Sequence, residues 1–293
     1  MVAILVCVST ASRGAAQDAP AGSHLKIGML QGMFRDVQPA MVQAMSVPFR
    51  AMFERQTGYT GDVEIVPDAE TLSNKMKDRK LQLGVFHGFE YAQVRTRHPE
   101  LQPLVVTVPH GRACQALVIV SQASKAEKLA DLAGELVVIP RGTKAHCLTY
   151  LDKARRGLPA TVAKPVAKPN LTVEEVLNSV AEGTSAAGLV DVGAYNGYLA
   201  LQPGAGQYLK VLCRSEVFPV SVIAFRKGTF DDETIGQIRR GLLGANQTAQ
   251  GKPLMMLWNL KGFEDVPADY EAQLGNILKA YPAQPPVTPR LEK

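Results

Sequence analysis

Several motifs that mark common enzyme classes are missing from this 293-residue sequence. It has no G-x-x-x-x-G-K-[ST] phosphate loop and no G-x-G-x-x-G turn for a dinucleotide. The G-x-S-x-G and H-E-x-x-H motifs of hydrolases are also missing, and we find no constellation of paired carboxylates. We therefore expect a protein that is not an enzyme and that uses no cofactor.

Aromatic residues and clustered charges are also scarce. Only 6% of the residues are aromatic, and the net charge of +5 comes from basic residues that are scattered along the chain. Proteins that bind nucleic acid usually carry a basic stripe with interleaved aromatic residues. We therefore expect no nucleic-acid partner, while the sequence pI near 9.0 favours an anionic one.

The length and the composition are those of an ordinary globular protein. A hydrophobic content of 46% with 20% charged residues is typical of a soluble chain. The length allows one large domain or two lobes of about 100 to 150 residues each. We expect the protein to be a monomer.

No apolar run of the sequence is long enough to span a membrane. A short run from Val2 to Val8 is followed by small residues and by Gly14-Ala15-Ala16, just before Gln17. This order is typical of an export signal, which we place within residues 1–20. Cys7 could mark a lipoprotein, but Val6 before it is bulkier than the small residue that such sites use. The mature protein is expected to be periplasmic or secreted.

Cysteine is rare as well, with three residues left after the export signal: Cys114, Cys147 and Cys213. None has the spacing of metal ligands, so we predict no metal site. In an oxidising compartment two of them could form a disulfide, and the sequence does not give the pairing. Buried free thiols are the simpler interpretation, because free cysteine usually behaves as a small core residue.

Predicted strands and helices alternate along the chain. The predicted strands are residues 25–30, 63–66, 83–86, 104–108, 116–120, 135–139, 186–190, 208–213 and 220–225. The predicted helices are residues 39–56, 70–80, 89–97, 125–133, 144–156, 172–182, 193–201, 231–243 and 269–281. We read residues 157–169 as a connection and 281–293 as a disordered tail. The alternation predicts an α/β fold with largely parallel sheets.

One predicted turn between a strand and a helix has the character of an anion site. It contains four residues that could contribute donors or positive charge at the start of the helix: Arg141, Gly142, Thr143 and Lys144. Helix N-termini carry unpaired backbone N–H groups and a partial positive charge, which favour a bound anion. The alternative is an ordinary solvated helix start.

The order and spacing of six segments resemble the phosphate, phosphite and phosphonate periplasmic binding proteins that serve ABC importers. The resemblance covers about residues 25 to 245, and its segments are Leu25–Gly28, Leu81–Phe89, Gln115–Val120, Asp131–Glu135, Ala187–Asp191 and Phe218–Val222. It implies the α/β two-lobe type II periplasmic-binding-protein fold with a two-strand hinge. Lobe 1 would then comprise residues 25–112 and 217–280, and lobe 2 residues 113–216. Residues 114–121 and 213–220 would be the crossing strands.

The resemblance also implies ligand contacts. Thr143 and Lys144 stand where the family has a Ser-Thr-Ser type run, and Phe86 with His87 matches its aromatic wall. Asp191 matches a strand end where acidic residues hold a ligand amine. Further candidates are Tyr195, one turn after Asp191, and two residues after the first strand, Gln31 and Phe34, with Arg35 and Asp36 at the rim. His87 could instead be a core histidine, and Asp191 a helix cap.

These observations predict an exported solute-binding protein that captures a small anionic or zwitterionic ligand for an ABC permease. A ligand-sensing partner of a membrane receptor or kinase would use the same cleft. An enzyme on the same two-lobe frame is the third possibility. The sequence does not name the ligand within the phosphate, phosphite and phosphonate class.

Export predicts a processed N-terminus. Mass spectrometry of the secreted or periplasmic protein is expected to find a chain that begins near Gln17, after removal of the apolar run. An intact N-terminus on a cytoplasmic protein would contradict both the compartment and the argument for an oxidising environment.

Overall fold

The computed structural model describes residues 24–34, 39–109, 111, 114–258 and 260–282. For residues 39–46 and 257 it describes the backbone alone. The predicted export signal, Arg35, Asp36 and almost all of the predicted tail lie outside the described residues.

Eleven strands and nine helices are assigned within the described part of the chain. The first series is β1 (His24–Leu30), α1 (Pro39–Thr57), β2 (Thr60–Val66), α2 (Ala69–Lys77), β3 (Leu83–Phe86), α3 (Gly88–Arg95) and β4 (Leu101–Pro109). The second is β5 (Ala116–Ser121), β6 (Leu136–Pro140), α4 (Ala145–Ala154), β7 (Lys164–Lys168), α5 (Val173–Ala181), β8 (Ala187–Asp191), α6 (Val192–Leu201) and β9 (Leu209–Arg214). The third is β10 (Val222–Arg226), α7 (Asp232–Gly244), α8 (Gly251–Leu257), β11 (Leu260–Glu264) and α9 (Tyr270–Ala280).

The strands form two separate sheets. The first has the order β11-β4-β10-β3-β1-β2, and the second has the order β7-β6-β8-β5-β9. The chain builds most of the first sheet, then the whole second sheet, and then returns to insert β10 between β3 and β4. Each sheet is covered by helices, so the predicted α/β two-lobe architecture is confirmed.

Both sheets are mixed, which corrects the prediction of largely parallel sheets. In the first sheet β1 is parallel to β2 and β3, whereas β10 is antiparallel to β3 and β4, and β11 is antiparallel to β4. In the second sheet β6 is parallel to β7 and β8, and β5 is antiparallel to β8 and β9. Alternation along the sequence predicts parallel neighbours only when consecutive strands pair, and β10 returns from a distant part of the chain.

Three further elements differ from the sequence prediction. β7 lies in the stretch that we read as a connection, and as an edge strand it tolerates Pro165. The predicted helix over residues 125–133 is a short 3₁₀ turn, Leu129–Asp131. α8 and β11 follow α7 in a region where we predicted no element.

α1 is one helix of 19 residues, Pro39–Thr57, with Pro48 inside it. The sequence predicts a kink at this proline or a new start capped by Ser46, and the helix continues across Pro48 without a new start. The kink stays a prediction. None of the described helices is both long enough and apolar enough to cross a membrane.

The connection between the two lobes is short and irregular. Outside the two sheets, the crossing segments pair at an isolated bridge, where the Phe218 N–H donates to the Cys114 carbonyl at 2.7 Å. β5 and β9 pair entirely within the second sheet, so the predicted crossing strands lie mostly inside lobe 2 rather than between the lobes. The exact lobe boundaries remain a prediction.

An aromatic cluster surrounds this connection. The Phe218 ring lies 5.4 Å from Phe89 of lobe 1, 5.2 Å from Tyr281 after α9, and 4.8 Å from the His146 ring of lobe 2. The Tyr281 hydroxyl also donates to Glu216. The lobes therefore contact each other through packed rings as well as through the covalent crossings.

The three described cysteines form no disulfide. Cys147 is fully buried in the core of lobe 2, as the simpler interpretation predicts, and Cys114 and Cys213 are partly buried. The alternative of a disulfide between two of them is not found in the structure.

The first sheet has an apolar core on each face, and successive side chains along a strand alternate between them. On β3, Leu83 and Val85 pack into the cluster that includes α1 and α7, whereas Phe86 packs into the cluster that includes α2 and α3. On β1, Met29 lies on the first of these faces and Leu30 on the second. This alternation decides which side chains reach the site described below.

Gly88 is required where α3 begins. A Cβ atom at this position would lie 2.2 Å from the Pro219 carbonyl oxygen and 2.4 Å from that of Val220, both in the second crossing segment. Backbone atoms cannot move aside as the end of a flexible side chain can, so any larger residue must push the crossing segment away from β3.

We expect Gly88→Ala to lower the free energy of unfolding by about 1–3 kcal/mol, the usual cost of overpacking. Chemical denaturation measures the change. Gly275→Ala is the matched control, because a Cβ atom there meets nothing within 4 Å. In the interior of α9 it should stabilise the fold by roughly 0.4–1 kcal/mol. Equal effects of the two variants would contradict the close approach at Gly88.

Candidate ligand-binding site

A cavity of about 610 Å³ lies between the two lobes. Lobe 1 lines it with residues of β1 and β3, the end of β4 and the second crossing segment. Lobe 2 lines it with residues at the starts of α4 and α5 and along α6. Clefts that bury small ligands commonly measure about 300–1,000 Å³, so this cavity is large enough for one.

An ion pair marks the lobe 2 side of the cavity. Lys144 directly precedes α4, and its Nζ lies 3.4 Å from Oδ1 of Asp191, the residue before α6. The Lys144 side chain keeps 27% of its surface exposed, and that of Asp191 keeps 5%. The ammonium therefore reaches the open part of the cleft, while the carboxylate lies beneath it.

Asp191 also caps α6, because Oδ1 accepts the Ala194 N–H at 3.1 Å. The two interpretations of Asp191 from the sequence are therefore compatible. One carboxylate ends a buried strand, caps the following helix and lines the cavity.

His87 lies opposite, at the end of β3. Its Nδ1 is 3.3 Å from Oγ of Ser221, and its buried Nε2 has no hydrogen-bond partner among the described residues. Burial, and then the nearby charge of Lys144, lower the pKa of His87 to about 3. The imidazole is therefore neutral at physiological pH and offers a ligand one donor or one acceptor.

Phe86 does not line the cavity, contrary to the sequence prediction. It is fully buried on the opposite face of the sheet, with its ring 5.7 Å from that of Tyr91. Adjacent strand residues point to opposite faces, so His87 and Phe86 cannot both reach the same cleft. Of the two residues in the predicted aromatic wall, only His87 lines the cavity.

Of the predicted anion turn, only Lys144 is among the described residues that line the cavity. Arg141, Gly142 and Thr143 are not. The Thr143 hydroxyl donates to the Pro140 carbonyl at 2.8 Å, so its proton closes the turn instead of facing a ligand. Gly142 adopts φ +65°, the left-handed conformation that the turn requires. The exposed Arg141 donates its backbone N–H to the Leu171 carbonyl at 2.8 Å.

The remaining candidates divide in the same way. Phe34 lines the cavity, whereas Gln31 is exposed outside its described lining. Tyr195 packs against the apolar cluster of lobe 2, and its helix presents Ala194 and Tyr198 to the cavity instead. Asp191 precedes the helix and has extended backbone angles, so helical spacing does not place Tyr195 on the same side as Asp191.

Sequence reasoning missed several polar residues of the cavity. Ser221 and Thr107 line it from lobe 1, and Thr172 from the start of α5. Ser221 lies in a segment that carries the family resemblance, so that segment held a usable signal. Trp258 also lines the cavity, and its buried Nε1 has no hydrogen-bond partner among the described residues. It follows α8, a helix that was not predicted.

The described residues include no group of three or more His, Cys, Asp or Glu side chains that could hold a metal ion.

A ligand-sized cleft between two α/β lobes that are joined by two crossings is the architecture of the type II periplasmic-binding-protein fold. A family model described as the periplasmic substrate-binding protein of phosphonate ABC transporters matches residues 32–270. The chain belongs to this family. Its members are transport substrate-binding proteins outside the cytoplasm that bind small ligands and work with ABC permeases.

Solved structures share the fold at low sequence identity. A protein of Xanthomonas citri bound to ATP has a TM-score of 0.66 at 17% identity, over 89% of this chain and 97% of that chain. PhnD1 of Prochlorococcus marinus in complex with methylphosphonate has a TM-score of 0.65 at 13% identity, over 88% and 97%. A binding protein component of an ABC phosphonate transporter of Pseudomonas aeruginosa has 0.63 at 15%, over 87% and 85%. No curated protein matches the sequence.

A buried carboxyl lies close to this site. Glu90 is in the first turn of α3, and its Oε2 is buried without a hydrogen-bond partner among the described residues. Burial, and then the charge of Asp68, raise the pKa of Glu90 to about 7, although the charge of Lys144 opposes this shift. Ionised Glu90 is therefore a cost to the folded protein.

We expect Glu90→Gln to remove a pH dependence of stability. An unfolded glutamate loses its proton near pH 4.5, whereas folded Glu90 keeps it to about pH 7. The folded parent therefore loses stability as the pH rises between these values, by up to about 3 kcal/mol. Chemical denaturation at pH 5 and pH 8 measures the free energy of unfolding of both proteins. Relative to the parent, the variant should be more stable at pH 8 than at pH 5. The same difference at both pH values would contradict the raised pKa.

Proposed function

We propose that this protein captures a small anionic or zwitterionic ligand of the phosphate, phosphite and phosphonate class in its interlobe cleft. The observation that supports the proposal is the Lys144–Asp191 pair, which presents an ammonium group to the interlobe cleft opposite His87.

Lys144 can hold an anion in addition to Asp191. An ammonium has three donors, and its contact of 3.4 Å with Oδ1 of Asp191 is longer than a strong charged hydrogen bond. Its remaining donors can reach a ligand oxygen. Because α4 begins at the next residue, the partial positive charge of the helix N-terminus reinforces the ammonium.

Asp191 makes a zwitterion a reasonable ligand. Its carboxylate is almost fully buried, so a ligand ammonium placed beside it would meet a charge that is weakly screened by water. A plain anion would instead meet Asp191 as a nearby repulsive charge, offset by Lys144. The balance between these two charges sets the preference within the ligand class.

Neutral His87 and Ser221 complete the polar surface on lobe 1. A ligand held by Lys144 in lobe 2 and by these groups in lobe 1 would connect the two lobes. Such a ligand would favour a closed arrangement around the two crossings, by hinge bending. We propose that the protein, exported as a monomer after loss of its signal, delivers this ligand to an ABC permease.

The test of the anion site is Lys144→Ala, titrated by calorimetry with phosphate, phosphite, methylphosphonate and 2-aminoethylphosphonate. A charged hydrogen bond contributes about 1.5–3 kcal/mol, so affinity for the ligand that binds should fall roughly tenfold to a hundredfold. Lys144→Arg should recover part of the loss, because a planar guanidinium does not replace a compact ammonium.

Lys153→Ala is the matched control in this experiment. Lys153 is also on α4, but its Nζ pairs with Glu216 at 2.6 Å outside the cavity lining. Unchanged affinity in Lys144→Ala, or equal losses in both variants, would contradict the proposed anion site.

Asp191→Asn separates the two kinds of ligand in the same titrations. Asparagine keeps an oxygen that can accept the Ala194 N–H, so the cap of α6 is preserved. The affinity for 2-aminoethylphosphonate should fall in this variant if Asp191 holds the ligand amine. The affinity for methylphosphonate should rise, because Lys144 is then freed from its partner.

A further inference from the structure

The cavity extends well beyond the polar groups, into the apolar interior of lobe 1. Leu83 and Val85 of β3 line it together with His87, the extended residue that follows the strand, and all three side chains lie on the same face. At about 3.3 Å per residue, Leu83 lies about 13 Å along the strand from His87 and, at 1% exposure, closes the inner end of this space. The cleft therefore continues inward along β3 as a recess, which we define by the apolar residues of its walls.

The recess is built in layers across three strands. Met29 of β1 and Ile223 of β10 both pair with Val85, and Ile27 of β1 pairs with Leu83 one layer deeper. Apolar side chains from the helices and from β11 close the opposite side: Phe49, Phe53, Leu242, Trp258, Leu260 and Phe263. The described residues that form these walls are therefore predominantly hydrocarbon or aromatic.

The size of the cavity does not suit a headgroup alone. A phosphate-sized anion has five heavy atoms, whereas clefts of about 300–1,000 Å³ hold drug-sized ligands. Protein interiors are close-packed, and unfilled apolar space lowers stability. An apolar recess that opens onto a charged site is therefore best explained by a ligand that fills both.

We propose that the ligand is an amphiphile, a phosphonate or phosphate monoester whose unbranched apolar chain of several carbons lies in the recess of lobe 1. This inference rests on the proposed function, because the headgroup would be held by Lys144. The chain would run from His87 towards Val85, with its carbon atoms against Met29 and Ile223, which keep 7% and 4% of their surface accessible.

The experiment is a calorimetric titration with n-alkylphosphonates from methyl to octyl. Each buried methylene should raise affinity by about threefold, which gives about 200-fold from methyl to hexyl before the recess is full. The heat capacity change of binding should become more negative along the series. If the affinity stays constant or falls as the alkyl chain lengthens, the proposal of a chain in the recess is wrong and the proposed function is unaffected.

A parallel series of n-alkylsulfonates separates the two proposals. If the affinity of the sulfonates rises with chain length while no phosphonate binds, the result would support the recess and contradict the phosphonate headgroup. The absence of binding in both series would overturn both.

Two variants test the location of the chain. Val85→Phe places a larger side chain in the middle of the recess, and the ratio of hexyl to methyl affinity should fall from about 200 to below about 10. Val47→Phe makes the same change on the exposed surface of α1 and should leave this ratio unchanged. An unchanged ratio in folded Val85→Phe would overturn the assignment.

Leu242→Ala is the second variant, for the case in which Val85→Phe does not fold. It shortens a side chain on the wall that faces the strands, so the affinity maximum should move to a longer alkyl chain. A maximum at the same chain length as in the parent protein would count against the recess.

Discussion

The alternation of side chains along β3 is the constraint on which the site depends. Because the strand is covered on both faces, Val85 and His87 must share one face while Phe86 is buried on the other. The face that carries His87 opens into the cleft at the end of the strand and into apolar space further back. The polar site and the recess behind it therefore follow from one strand register, which the pairing of β3 with β1 and β10 holds in place.

A second constraint is the treatment of charge in lobe 2. Asp191 is buried at the end of a strand, where an unpaired carboxylate would be costly. The Ala194 N–H and the Lys144 ammonium compensate it, and the same contacts fix the start of α6 and the direction of the Lys144 side chain. The group that stabilises the helix is thus also the group that positions the positive charge in the cleft.

Much of the architecture was readable from the sequence, because most strands and helices carry their own periodicity and cap signals. The capping box of Thr172 and Glu175 is an example, and the structure contains it. Sheet order was not readable in this way, since the return of β10 beside β3 depends on contacts across the whole chain. The candidate site was predicted less well. The predicted residues that line the cavity are Lys144, Asp191, His87 and Phe34. The Thr143 hydroxyl instead donates its hydrogen bond to the Pro140 carbonyl within the turn. Residue type and spacing do not show whether a hydroxyl donates to a carbonyl of its own turn or to a ligand.

The two parts of the cavity would contribute to binding in different ways. Burial of an apolar chain is non-directional and adds affinity in proportion to its area, so it discriminates poorly between headgroups. Lys144, Asp191 and His87 are directional, and a mismatched headgroup would leave buried polar groups without partners. Selectivity would therefore come from the mouth of the cleft and affinity largely from the recess. Because the mouth is divided between the lobes whereas the recess belongs to lobe 1, opening would release the headgroup first and leave the chain as the last contact.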